Sequence, residues 1–125
     1  MQIQPVSNIT FGYHNKLKTL YKKGLLDVEY GFYGDKLTKK NVTLEHLLPI
    51  SKGGKTEITN LVLSSANKNQ ERGVQPLSEM LNWEHAGKYL EQFRDVKLRD
   101  FDGNNYIEII LNTINKLLKE GLWKN

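Results

Sequence analysis

Glu45 and His46 stand side by side at the end of the short apolar run "NVTLEH", and seven residues later the chain reads "GGKT". Each stretch suggests a different chemistry. "GGKT" looks like the close of a phosphate-binding loop, whereas a carboxylate beside an imidazole suggests proton transfer or metal ligation. A nucleotide-binding loop needs a glycine five residues before the Gly of Gly-Lys-Thr, and then a helix whose first amides meet the phosphates. Counting back from Gly54 gives Pro49, which has no amide hydrogen, and after Thr56 comes the β-like "EITNLVL". The phosphate loop fails on both counts, and "GG" reads as a tight turn in a polar loop.

The Glu-His pair has ordered company: Pro49, then Gly53-Gly54, then Asn60 opening "NLVL", then Asn67-Lys68-Asn69. His46 to Asn60 is fourteen residues and Asn60 to Asn69 is nine. This arrangement resembles the HNH endonuclease family, with the spacing of the HNH domain in RNA-guided CRISPR effectors, which also ends in Asn. The resemblance covers Val42 to Gly73, about a quarter of the chain. Five elements in order are a far more specific signal than "EH" alone.

The resemblance implies a ββα-metal fold, two short strands and a helix gripping one divalent ion, and hydrolysis of DNA that leaves 3′-hydroxyl and 5′-phosphate ends. His46 then serves as general base, since imidazole titrates near neutral pH. Glu45 and Asn69 offer hard oxygen ligands suited to Mg²⁺, with Mn²⁺ as the alternative. Neighbours on a strand face opposite ways, so Glu45 and His46 can hold separate duties. Asn60 matches the bracing Asn that fixes the loop carrying the base. Singly, each residue has a plainer reading: a solvated strand-end carboxylate, a turn Asn, an exposed helix amide. A second function class keeps the fold as a nucleic-acid-binding module without cleavage, and a third is a structural or interaction protein.

One feature of many relatives is missing. They brace this core with two Cys-x-x-Cys pairs on zinc, but the chain has no cysteine, and Tyr30, Tyr33, Ser65 and Lys68 stand in those places. No structural zinc is therefore expected, and packing by Tyr30, Phe32 and Tyr33 is expected to replace it. His14 and His85 fall outside the motif and read as surface or helix-face histidines. Trp83 and Trp123 read as helix-packing residues.

The elements that must position these residues read as α+β: a small ββα core surrounded by additional helices. With no repeat or linker-like tract, the 125 residues suit a single domain, with the motif at about 42–73 and a helical part at about 76–121. A first helix carries Tyr13, Leu17, Leu20 and Tyr21 and stops at Gly24. "LDVEYGFYG" reads as a short strand or hairpin, and "NVTLEH" and "NLVLSS" as strands. "SANKNQERG" reads as a helix capped by Ser65 and ended by Gly73. "PLSEMLNWEHAGKYLEQF" reads as one helix with Leu77, Met80, Leu81, Leu90 and Phe93 inward. A last helix carries Ile107, Ile110, Leu111, Ile114, Leu117 and Leu118 and ends at Gly121.

Charge points to a polyanion. The net +4 lies wholly before residue 61, where nine lysines meet five acids, whereas residues 61–125 hold nine of each sign. Lys39, Lys40, Lys52 and Lys55 flank the motif and are the candidates for holding DNA phosphates. No apolar run is long enough to span a membrane and no signal-peptide layout is present, so an intracellular protein of phage, homing or restriction type is expected, without a small-molecule cofactor. Target site, strand preference and oligomeric state are not written in the sequence.

Overall fold

The computed structural model describes residues 16–120. Tyr13, His14, Gly121 and Trp123 lie outside the described residues. Helical residues 16–22 (α1) bury Leu17 and Leu20, and Gly24 ends the helix in the left-handed conformation (φ 77°). There the amide of Leu25 donates to the Leu20 carbonyl at 3.0 Å, satisfying a carbonyl the helix leaves open. The following "LDVEYGFYG" buries Leu26 and Val28 and turns back at residues 31–34, with a single antiparallel bridge between Tyr30 and Lys36.

Two strands follow. β1 (Val42–His46) pairs antiparallel with β2 (Leu61–Ser65), in a register that sets Glu45 opposite Val62 and His46 opposite Leu61. β2 is buried along its whole length although only one edge has a strand partner. Its outer backbone groups need other partners, because an unpaired buried peptide group is costly. Side chains and a loop supply them. Tyr106 donates its hydroxyl to the Leu61 carbonyl (2.7 Å), Tyr89 accepts from the Leu63 amide (2.9 Å), and the Phe32 amide donates to the Leu63 carbonyl (2.9 Å).

α2 (Ala66–Arg72) begins where β2 ends. The Ser65 side chain accepts from the Lys68 amide and Gly73 terminates the helix, as the sequence predicts. The stretch expected to form one helix from Pro76 is broken into α3 (Leu77–Met80) and α4 (Trp83–Glu91). The cause is Asn82: in extended backbone, its side chain accepts from the His85 amide and restarts the helix. Trp83 is therefore placed in the first turn of α4 and is half-exposed, rather than packing between helices. A tight hairpin of β3 (Lys97–Leu98) and β4 (Phe101–Asp102) follows, too short for a periodic signal, before α5 (Gly103–Glu120).

α5 buries Tyr106, Ile110, Ile114 and Leu117, while Leu111 is exposed. One hydrophobic core cluster runs from Leu17 to Leu117. Within it Tyr89, Phe93, Phe101 and Tyr106 meet edge-on or tilted at centroid distances of 4.8–6.5 Å, and such pairs contribute about 0.5–1.5 kcal/mol each beyond burial. No helix among the described residues is long and apolar enough to cross a membrane.

Candidate active site

Between the strands the chain makes a fourteen-residue excursion, 47–60, that must bring Asn60 back beside the end of β1. Pro49 opens a 3-10 turn (Ile50–Lys52) that ends at Gly53, with φ 97°. Gly54 is required for a different reason. A side-chain carbon there would sit 1.8 Å from the Leu48 carbonyl oxygen, so only glycine lets the two backbones touch. The Gly-Gly pair is thus a folding device, consistent with rejecting the phosphate loop.

Asn60 closes the excursion. Its Oδ1 accepts from the Leu48 amide (2.8 Å), and its Nδ2 donates to the carbonyls of Leu48 (3.0 Å) and Lys55 (2.8 Å). Its own carbonyl accepts from the Leu47 amide (2.9 Å). One buried side chain thereby ties both sides of the loop directly after His46. His46 is half-buried at the strand end, and its Nε2 lies 2.9 Å from Thr56 Oγ1 on the returning arm.

Glu45 points the other way, as strand alternation requires, and is 4 % exposed. The Tyr33 hydroxyl donates to its Oε2 at 2.6 Å, and Arg72 Nη1 reaches the same oxygen at 3.0 Å. Burial pushes the Glu45 carboxyl above its ordinary range, and the Tyr33 hydroxyl and the guanidinium oppose that push. The Tyr33 hydroxyl is itself driven far above its usual range, by burial and by the neighbouring carboxylate.

Arg72 is the residue that sequence reading passed over. Its side chain is wholly buried. Besides Glu45, Nη1 donates to the His46 carbonyl (2.9 Å), Nη2 to the Leu47 carbonyl (2.8 Å) and Nε to the Gln75 carbonyl (2.9 Å). A planar fork with fixed donors suits this task as lysine could not. Arg72 holds β1's end from the helix side while Asn60 holds the loop beyond it. Three residues earlier on α2, Asn69 donates Nδ2 to Thr43 Oγ1 and to the Leu44 carbonyl, both at 3.1 Å. With the nitrogen used in this way, Oδ1 is the end that remains for a ligand.

The four lysines are all exposed but do not form one patch beside His46. Lys52 and Lys55 sit on the loop after it. Lys39 and Lys40 precede Val42, the far end of a five-residue strand, roughly 13 Å away at ordinary strand rise.

The zinc-knuckle positions are also in view. Phe32 and Tyr33 are buried and pack edge-on, with centroids 5.2 Å apart, but Tyr30 is 41 % exposed. Tyr30 contributes backbone instead: its amide and carbonyl bond the Gln92 side chain. The two halves are bridged by the Asp35 carboxylate, whose Oδ2 accepts from the Ser65 amide, and by the Phe32 amide on the Leu63 carbonyl.

Glu45 and Asn69 bring oxygen donors, the type a hard cation takes. Among the described residues no group of three or more His, Asp or Glu gathers as a metal cluster. Mg²⁺ commonly keeps several waters and takes one or two protein oxygens plus substrate phosphate, and Asn69 Oδ1 with the second oxygen of Glu45 would meet that need.

A family model for HNH endonuclease matches residues 33–76, about a third of the chain. No curated protein and no solved structure matches it. The matched segment runs from Tyr33 to Pro76 and so takes in Glu45, His46, Asn60, Asn69 and Arg72, leaving α4 and α5 outside. The match supports placing residues 33–76 with the HNH endonuclease family.

Proposed function

We propose that the protein is a metal-dependent endonuclease that hydrolyses DNA phosphodiester bonds through a ββα-metal core, with His46 as general base. The observation that carries this reading is the double tether around His46. Arg72 binds the carbonyl of His46 itself, and Asn60 binds Leu47 and Leu48 immediately after it. A half-buried imidazole so tightly framed is preorganised to take a proton from water, where a misplacement of about 1 Å can cost roughly 10²-fold. Asn69 Oδ1 and Glu45 would hold Mg²⁺ or Mn²⁺. The ion, when bound, offsets charge on the phosphate and leaving oxygen. Lys52 and Lys55, and more remotely Lys39 and Lys40, hold backbone phosphates.

One observation favours the second reading, a module that binds nucleic acid without cutting it: one Glu45 oxygen is already engaged by Tyr33 and Arg72. Supercoiled plasmid incubated with Mg²⁺, beside a His46→Ala control, separates the two. Conversion to nicked or linear DNA by the wild type alone supports the nuclease. Equal inactivity of both proteins, with DNA still bound, supports the module.

A further inference from the structure

The charge pattern of the sequence leaves α5 neutral and its stripe fully explained as core. In the structure the end of α5 comes against the Gly-Gly loop, and a cleft of about 240 Å³ opens between them. Gly54, Lys55, Glu57 and Thr59 line it from the loop, and Thr113 and Lys116 from the helix. Thr113 and Lys116 are three residues apart and so share a helix face. Thr113 fixes that face to the loop, because its hydroxyl donates to the Thr59 carbonyl at 2.6 Å. Two exposed lysines, from elements some sixty residues apart in sequence, therefore flank one cleft, with Glu57 as the single acid among its lining residues.

The cleft adjoins the candidate active site. Lys55 and Glu57 line it, while Thr56 between them meets His46 Nε2. The cleft and the His46 contact are thus built from consecutive residues of one loop. Two ammonium groups around a polar, hydroxyl-lined cleft complement a phosphodiester backbone.

We infer that the cleft between the Gly-Gly loop and α5 is a phosphate-binding site for the nucleic-acid backbone, with Lys116 as its helix-side contact. The inference rests on the nuclease reading for its substrate class, and it extends the contact surface beyond the segment matched by the family. Lysine contacts to phosphates carry no base information, so little sequence preference should come from this site.

The test is equilibrium binding of duplex DNA at several salt concentrations, with Ca²⁺ in place of Mg²⁺. Wild type is compared with Lys116→Ala, Lys116→Arg and Lys88→Ala; Lys88 is an exposed lysine on α4 whose removal changes net charge equally. Lys116→Ala should flatten the slope of log affinity against log salt by about 0.9. Lys116→Arg should keep the wild-type slope, and so should Lys88→Ala. A wild-type slope in Lys116→Ala overturns the inference, as does an equal flattening by Lys88→Ala. Binding is read without cleavage. A protein that shows the Lys116 effect but never cuts keeps this site and loses the nuclease reading, and one that cuts with an unchanged slope does the reverse.

Discussion

Arg72 Nη1 lies 3.0 Å from Glu45 Oε2, and both side chains are almost wholly withdrawn from water. The pair joins α2 to the strand that carries His46. A buried pair of this kind adds little net stability over apolar residues of the same shape, because both ions had to be desolvated. Breaking it by removing one partner is another matter.

Arg72→Met should therefore destabilise the fold by about 3–5 kcal/mol, since it strands a carboxylate against the core. The double variant Arg72→Met/Glu45→Gln removes the stranded charge and should recover part of that loss. Urea denaturation of the wild type, both single variants and the double variant measures the coupling. A double variant as unstable as the sum of the singles would mean that the two side chains act independently.

His46→Ala should lower DNA cleavage roughly 10²-fold or more, because it removes the base. Affinity for DNA in Ca²⁺ should stay near the wild-type value, and so should the melting temperature, since the ring is only half-buried at the strand end and is not part of the apolar core. Rate, affinity and melting belong on one preparation. Turnover close to wild type would take His46 out of the mechanism.

Asn60→Ala should cost about 1–3 kcal/mol, leaving backbone groups of Leu48 and Lys55 without their partner. Its effect on cleavage should exceed its effect on DNA affinity, since it loosens the loop behind His46 and removes no cation. Asn60→Asp keeps the acceptor for the Leu48 amide but sets a buried carboxylate oxygen against the carbonyls of Leu48 and Lys55, and should fall below alanine. Stability measured by denaturant and rates measured under saturating DNA would show whether the order holds.

Asn69→Ala should raise the Mg²⁺ or Mn²⁺ concentration needed for half-maximal cleavage. EDTA should leave the melting temperature of the wild type nearly unchanged, because an ion held by one or two protein oxygens contributes little to folding. Metal titrations of rate, alongside melting curves with and without chelator, check both statements. A large drop in melting temperature on chelation would reveal a structural metal.

Much of this architecture was legible because local rules and tertiary need agree between Val42 and Gly73. Short apolar runs bounded by turn residues marked the strands, Ser65 and Gly73 the ends of α2, and the Gly-Gly pair the turn. Disagreement begins where one residue serves two masters. "LNWEH" continues a helical pattern of apolar positions, yet Asn82 prefers to cap, and the cap wins. Arg72 was invisible for a similar reason: in "NQERG" it looks like a solvated helix end, and arginine is seldom fully buried. Its partners, Glu45 and the carbonyls of His46 and Leu47, lie more than twenty residues away. The Lys55–Lys116 cleft has no local trace either, because only the docking of α5 brings its two lysines together.

The Asp35 carboxylate, bonded to the Ser65 amide where relatives place thiolates on zinc, changes what this protein needs from its surroundings. Thiolate sites are assembled by metal supply and dismantled by oxidants. A carboxylate-to-amide tie requires neither zinc loading nor a reducing milieu. The chain has no cysteine, so no thiolate around Ser65 is open to oxidation. The framework around His46 should therefore refold to the same yield with zinc, with EDTA, and after mild peroxide treatment, which refolding under the three conditions checks.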